Sequence, residues 1–410
     1  MKRKHTFSSI VKFTLFALTL TLGTIIFLNA DETESLARAN LADMAVERIV
    51  TTSDNDALYA EIAGDTQTEG FYRSVDNGRT WESLSDGPQT EVNVLSVDAL
   101  DENVIYAGGL GGSMTTTRNL WRSLDGGQTW QQFHLNLPAS ADHVLPTVTA
   151  LATDPMRPYG LYVGTDGQGV YRVDKNYPGY ELIGGVSKYD IHVKSLVFGA
   201  NSQLYALTTE GLLVTDGAEW QPVETPENFI TLATAHGEPN TLYAGGASMG
   251  VYRSEDGGKN WAQMNEGLAL TPGVALRVTA LTIDPDDPEA VAVATAHGLG
   301  SELAPDAVYE SRDGGEAWAK IDSLDSLATN LTLNDGVIHA TTTNGLKRYD
   351  RENDTPEAIS IVPPLETTST NTSNALQTVA LILVLVTIIL IMAAPMGWLD
   401  DWREKSGSTK

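Results

Sequence analysis

Four aspartates stand five positions ahead of a tryptophan with glycine between them: Asp76 and Trp81, Asp125 and Trp130, Asp256 and Trp261, Asp313 and Trp318. A carboxylate beside an aromatic ring is a pairing that glycan chemistry can use, the acid to move a proton and the ring to stack on a sugar. The same residues also make a turn. Aspartate accepts hydrogen bonds from backbone N–H groups two or more residues on, and glycine takes the positive φ that a tight turn needs. The number of copies separates the two readings. The octapeptides SVDNGRTW, SLDGGQTW, SEDGGKNW and SRDGGEAW begin at Ser74, Ser123, Ser254 and Ser311, and a shorter TDGAEW supplies Asp216 and Trp220. A catalytic acid need not recur at one point of a repeat; a turn does. The reading is structural for Ser74, Asp76, Gly78 and Trp81, for Ser123, Asp125, Gly127 and Trp130, and for Asp216 and Trp220. It is equally structural for Ser254, Asp256, Gly258 and Trp261, and for Ser311, Asp313, Gly315 and Trp318.

The elements around these boxes repeat in phase with them. A short apolar segment such as LYVGT at Leu161 or LYAGG at Leu242 occurs seven times, starting at Leu58, Ile105, Leu161, Leu204, Leu242, Val291 and Ile338. An alternating segment precedes each one, as in VTALATDP at Val148 and VTALTIDP at Val278, and a third follows, as in GFYRS at Gly70 and GVYRS at Gly250. Alternation broken by Gly, Asn, Asp and Pro is the signature of strands and turns. A unit of strand, turn, strand, turn, strand, Asp-Gly turn and Trp-bearing strand, about 46 residues long, has the period of a β-propeller blade. The expectation is an all-β protein. Residues 46–362 form a seven-bladed β-propeller of four-stranded antiparallel blades, flanked by an N-terminal and a C-terminal transmembrane helix. The seventh unit has no box, and residues 357–362 are expected to supply its outer strand.

The Ser-x-Asp-x-Gly-x-Thr-Trp box resembles the Asp-box, or BNR repeat, of sialidases, xyloglucan-cleaving glycosidases, sortilin-type receptors and the photosystem II assembly-factor propeller. The resemblance covers residues 46–362. It implies boxes between the third and fourth strands, at the end of the propeller away from its ligand face. It does not select a function, because one fold hosts all these roles.

Sialidases use three converging arginines, an Asp acid, a Tyr–Glu pair and a Phe/Tyr-Arg-Ile-Pro motif before the first blade. Here ARANLADMAVERIV leads into blade one, without that motif. Arg73, Arg122, Arg172 and Arg253 keep the phase of the repeat and read as repeat residues that pair with neighbouring acids. Arg48, Arg118, Arg157 and Arg277 remain, and nothing in the sequence brings three together. Asp154 and Asp284 lie in identical DP turns and read as turn caps. Asp284, Asp286 and Asp287 lack the spacing of a calcium loop, and His236 and His297 make no metal-binding pair. With no cysteine, thiolate chemistry is excluded. No catalytic, cofactor-binding or metal-ligating residue is expected. A non-catalytic binding or assembly scaffold is the leading reading; the alternative is a surface glycoside hydrolase, sialidase-like or xyloglucanase-like.

Residues 1–30 read as a signal anchor or signal peptide, with Lys2, Arg3 and Lys4 ahead of an apolar run. Residues 31–45 form a linker, and the Pro/Thr/Ser-rich residues 363–374 form a stalk. Residues 375–398 read as a transmembrane helix, long enough to span a bilayer core, and 399–410 as a short cytoplasmic tail. Basic residues at the start place the N-terminus in the cytoplasm. Residues 31–374 hold 19 basic and 50 acidic side chains, a net of −31. The expectation is a chain anchored in a bacterial-type cell membrane with an extracytoplasmic propeller. A net charge of −27 argues against nucleic acid. Long loops on the ligand face nominate Asp65, Glu69, Arg118, His134, Asp142, Glu302 and Asp306 as a binding rim for a protein partner with a basic surface, or for a glycan; tolerated insertions are the plain alternative.

Overall fold

The computed structural model describes residues 45–51, 57–63, 70–84, 87–88, 92–110, 112–113, 120–132, 144–173, 180–182, 191–199, 202–217, 219–235, 238, 240–300, 302–350 and 357–359. Residues 42–363 form one compact unit. Both proposed membrane segments lie outside the described residues, as do Asp65, Glu69, Arg118, His134 and Asp142. Among the described residues no helix is long and apolar enough to cross a membrane.

The unit is a seven-bladed propeller of four-stranded antiparallel sheets, each contiguous in sequence. Blade 1 is β1 (Ala45–Thr51), β2 (Leu58–Ala63), β3 (Gly70–Ser74) and β4 (Glu82–Leu84). Blade 2 is β5 (Val92–Asp98), β6 (Asp101–Gly109), β8 (Leu120–Ser123) and β9 (Gln131–Gln132), with β7 (Gly112–Ser113) in a loop paired to β10 (Val144–Leu145). Blade 3 is β11 (Val148–Thr153), β12 (Leu161–Thr165), β13 (Val170–Val173) and β14 (Tyr180–Leu182). Blade 4 is β15 (Val193–Phe198), β16 (Leu204–Thr208), β17 (Gly211–Thr215) and β18 (Gln221–Val223). Blade 5 is β19 (Phe229–Thr234), β20 (Leu242–Gly246), β21 (Val251–Ser254) and β22 (Ala262–Gln263). Blade 6 is β23 (Ala275–Ile283), β24 (Val291–Leu299), β25 (Glu302–Ser311) and β26 (Ala319–Ser323). Blade 7 is β27 (Ala328–Asn334), β28 (Val337–Thr342), β29 (Gly345–Asp350) and β30 (Glu357–Ile359). The outer strand expected from the last segment is present as β30.

Burial follows the strand order. The second strands are buried at every position in β12, β16, β20 and β28, because each is covered on both faces by neighbouring blades. That explains their near-continuous apolar sequence. Apolar clusters fill the joints. Tyr59, Phe71 and Leu84 of blade 1 pack on Leu95, Ile105 and Trp121 of blade 2. Tyr243, Val251 and Leu268 of blade 5 pack on Val278, Val293 and Tyr309 of blade 6. Several outer strands are cut short, to two residues in β9 and β22. Short edges limit unwanted strand pairing with other chains.

Every inner strand carries a β-bulge soon after it leaves the preceding blade, and the skipped residue is Glu47, Asn93, Thr149, Lys194, Ile230, Thr279 or Thr329. A bulge bends the strand and re-aims one side chain. Seven of them at one level set a mixed, mostly polar ring at the upper end of the inner strands. Threonine hydroxyls tie adjacent inner strands together at both ends: Thr149, at the bulge, donates to the Val193 carbonyl at 2.6 Å, and at the lower end Thr153 donates to Val97 at 3.1 Å and Thr234 to Phe198 at 2.7 Å.

Candidate functional site: the lower turns and the upper rim

The chain leaves each blade's third strand at the lower end, and the boxes lie there, between third and fourth strands. Their tryptophans precede the fourth strand rather than sit on it: Trp81, Trp130, Trp261 and Trp318 stand one residue before β4, β9, β22 and β26. The turn needs the ring at its close, so the sequence expectation of a Trp-bearing strand is off by one residue.

Four full boxes share one serine–aspartate turn, and the tryptophan N–H closes it in the first two; in the fourth, Trp318 Nε1 donates instead to the Met264 carbonyl of the preceding blade at 2.8 Å. In the first, Ser74 Oγ donates to Asp76 Oδ1 at 2.8 Å and accepts from Gly78 N at 2.9 Å. Asp76 Oδ1 accepts from Thr80 N at 2.8 Å, and its other oxygen from Thr80 Oγ1 at 2.5 Å. Trp81 Nε1 closes the turn on the Gly78 carbonyl at 3.0 Å. Gly78 has φ 75° and Gly127 φ 85°, the left-handed region where a side chain is strained. Ser123, Asp125 and Thr129 repeat the pattern. Asn260 takes the threonine's place against Asp256, and Ala317 N bonds Asp313. Partial burial pulls Asp76 and Asp125 up, but donors from Thr80 or Thr129 and from the box serine hold both below the ordinary carboxylate range. The Asn260 side chain and backbone hold Asp256 at about 2, and Ser311 and Ala317 lower Asp313. These carboxylates are fully engaged anions. In the short box, Gly217 N bonds Thr215 Oγ1 at 3.0 Å, Asp216 is exposed, and Trp220 packs on the cluster between blades 3 and 4.

The repeat arginines act across joints. Arg73, Arg122, Arg172 and Arg253 stand opposite Tyr59, Tyr106, Tyr162 and Tyr243 in the second strand. Arg253 lies over the Tyr243 ring with its carbon 5.7 Å from the centroid. Both then reach the next blade's box: Tyr243 Oη and Arg253 Nη1 donate to the Gly314 carbonyl at 3.1 and 3.4 Å. Tyr205 does the same to Gly257 at 3.2 Å, and a Cβ on Gly126 would lie 3.4 Å from the Tyr59 hydroxyl. Pairing with an acid is seen at Arg253, whose Nη2 is 3.0 Å from Glu255. The box turn of the next blade was the partner that sequence reasoning missed. Asp154 and Asp284 cap their turns as expected, accepting from Met156 N and Asp286 N at 2.9 and 3.0 Å; Asp98 does likewise with Leu100 N. Burial pushes Asp98 and Asp284 up.

The upper end carries the second-to-third-strand loops and the blade-to-blade loops. There the carboxylates act as braces. Glu227, arriving from blade 4, accepts from Ser248 N and Oγ, both at 2.8 Å, and from Met249 N at 2.9 Å, which fixes the loop above blade 5. Asp306 Oδ2 accepts from Thr295 Oγ1 at 2.8 Å and Tyr309 Oη at 3.1 Å. Asp166 of blade 3 contacts His192 at the entry to blade 4. In blade 6, β24 and β25 run on past the sheet as a hairpin tipped by Gly300, where Glu302 and Leu303 are exposed. His297 on this hairpin contacts the Ala269 carbonyl at 3.0 Å. Met249, Leu270 and Leu303 are 45%, 58% and 39% exposed on the same end, and exposed Glu302 adjoins Leu303 in sequence. Of the rim residues named from sequence, the structure thus places Glu302 at the hairpin tip and Asp306 as its brace. Asp166, His192 and Glu227 had no local signal, since their partners come from another blade. Among the described residues no group of three His, Cys, Asp or Glu side chains could hold a metal ion.

No family model matches the chain, and no curated protein matches it. Solved structures do. A GH74 xyloglucanase from Xanthomonas campestris superposes with a TM-score of 0.57 at 16% identity, over 76% of this chain and 53% of that one. A GH74 enzyme from Niastella koreensis gives 0.56 at 18% identity, over 76% and 53%. YCF48 bound to a D1 peptide gives 0.53 at 18%, over 76% of this chain and 94% of that one. The chain spans about half the length of the two GH74 enzymes and nearly all of YCF48. At these identities the likeness is one of fold: the chain is a seven-bladed propeller similar to both glycoside hydrolases and a peptide-bound propeller.

Proposed function

We propose that this chain is a membrane-anchored, extracytoplasmic propeller that holds a basic segment of a partner protein on its upper face, without catalysis. The Glu227 brace is the observation that carries this reading. A carboxylate that engages both oxygens on three donors of a neighbouring loop preorganises a surface, and preorganisation lowers the entropic cost of binding. Exposed Met249, Leu270 and Leu303 supply apolar anchors, and exposed Glu210, Glu224 and Glu302 add negative charge from the upper loops. An opposite charge on the partner raises the rate of encounter and is screened by salt. The peptide-bound YCF48 propeller, matched along nearly all its length, supports a binding role. The extracytoplasmic placement rests on the basic N-terminus and the two apolar segments of the sequence.

The test is a pair of double variants in the full-length chain. Glu210→Lys with Glu302→Lys reverses the upper face; Asp286→Lys with Asp287→Lys reverses a lower turn. Salt-sensitive binding of a fluorescent Lys/Leu-containing peptide is expected to fall about tenfold or more for the first pair only. Equal behaviour of the two pairs removes the upper face from the reading. Hydrolysis of xyloglucan or a sialoside by the intact chain replaces it with a glycosidase.

A further inference from the structure

The joint between blades 7 and 1 departs from the rule of the repeat. Where blades 1, 2, 3 and 5 present Tyr opposite Arg, blade 7 presents His339 on β28 opposite Arg348 on β29. Both are buried, at 0% and 2% exposure. Both reach box 1 of the first blade, 262 and 271 residues earlier. His339 Nε2 lies 3.2 Å from the Asn77 carbonyl, and Arg348 Nε donates to the same oxygen at 3.0 Å. A carbonyl accepts only, so Nε2 carries the hydrogen and Nδ1 is bare. That Nδ1 is buried with no hydrogen-bond partner. The box turn fits tightly on the ring: a Cβ at Gly78 would lie 2.5 Å from His339 Nε2.

The charged groups around His339 come from each element packed on it. Arg348 and Asp350 lie on β29, paired to each other at 2.9 Å. Box 1 brings Asp76, and Arg79, whose Nη2 is 3.4 Å from Asp350. Strand β1 carries Glu47 and Arg48 in sequence, and β27 places the uncharged Thr332 opposite the ring. A proton added to Nδ1 has no acceptor within hydrogen-bond distance and stands beside the Arg348 guanidinium. A buried, unpaired second cation is the costliest neighbour an interface of this kind can acquire.

We propose that this joint is a proton-operated gate: protonation of His339 releases the Asn77 turn from blade 7 and lets the ring part between its first and last blades. Burial holds the imidazole down at about 4 against an ordinary 6.5; the Asn77 carbonyl pulls the other way and the Arg348 guanidinium adds to the depression. With those two values, opening becomes about 30-fold more favourable at pH 5 than at pH 7.5.

Amide hydrogen exchange on the full-length chain, corrected for intrinsic rates, reads this directly. From pH 7.5 to 5, protection around Asp76–Thr80 and along β28 and β29 is expected to fall about 30-fold. The boxes of blades 2 and 5 are expected to hold theirs. His339→Gln keeps a donor and cannot charge, so its joint is expected to keep its protection at pH 5. Uniform loss across all boxes, no loss at the joint, or a His339→Gln variant that still opens overturns the proposal. Should that variant not fold, the wild-type imidazole resonances decide. A His339 that titrates together with the joint's exchange supports the gate, and one that titrates near 6.5 with the joint closed ends it.

Discussion

Two joints of the same ring, blade 5 to blade 6 and blade 7 to blade 1, solve one problem with different chemistry. At the first, Tyr243 and Arg253 cap Gly314 of the next box above an apolar cluster that includes Val278, Val293 and Trp318. Burial pushes the Tyr243 hydroxyl up to about 12, so it keeps its proton at any ordinary pH. At the second, His339 and Arg348 cap Asn77; the imidazole stays neutral down to about 4 while the joint is closed and gains charge in mild acid only once it opens. The lesson is that the box fixes the shape of the turn, while its cap, supplied by the neighbour, fixes how that joint responds to its surroundings.

The comparison breaks most easily at the arginines. Arg348→Ala removes a buried donor to Asn77 and strips Asp350 of its 2.9 Å partner, so a loss of about 3–5 kcal/mol is expected in urea unfolding. Arg253→Ala removes one long hydrogen bond and a ring contact at a half-buried position, with an expected loss of about 1 kcal/mol. Equal losses at the two sites mean the joints are not different in kind.

Acid sharpens the contrast. His339 has a folded value near 4 and an unfolded value of 6.5. Between them the unfolded chain binds more protons, so its contribution is whole above 6.5 and lost as pH falls toward 4, by about 3 kcal/mol. The box aspartates have lowered values. Their contribution stands above the ordinary carboxylate value and disappears only as pH falls through their own. A melting profile with two acid limbs, the upper one missing in His339→Gln, is the expected result; a single limb near pH 4 contradicts it. The smallest effect lies in the turns themselves. Ser74→Ala and Ser254→Ala each remove one acceptor for a buried glycine N–H, and each is expected to cost about 1–2 kcal/mol in the same urea assay. Unequal costs would show that the caps reach into the turns after all.

Those turns were legible in sequence because their chemistry is local: serine, aspartate, glycine and tryptophan meet within eight positions. The blade order was legible for the same reason, since each sheet is built from one continuous stretch. What stayed hidden is whatever crosses a joint. Arg253 announced itself as a repeat residue, but nothing adjacent to it points to Gly314, 61 positions on. Glu227 sits in a plain connecting segment, and only the register of two blades brings Ser248 and Met249 to it. His339 occurs in IHATT, a segment that reads simply as a strand.

Because each blade is contiguous, with β1 to β4 in the first and β27 to β30 in the last, no strand is traded between the two ends of the unit. During synthesis a blade can therefore assemble as soon as its own residues emerge, at the modest cost of closing short loops. The Asn77 turn must wait, with its carbonyl uncapped, until residues 339 and 348 exist. Synthesis thus has a built-in final step, and a ribosome stalled before β28 holds a row of finished blades that cannot yet become a circle.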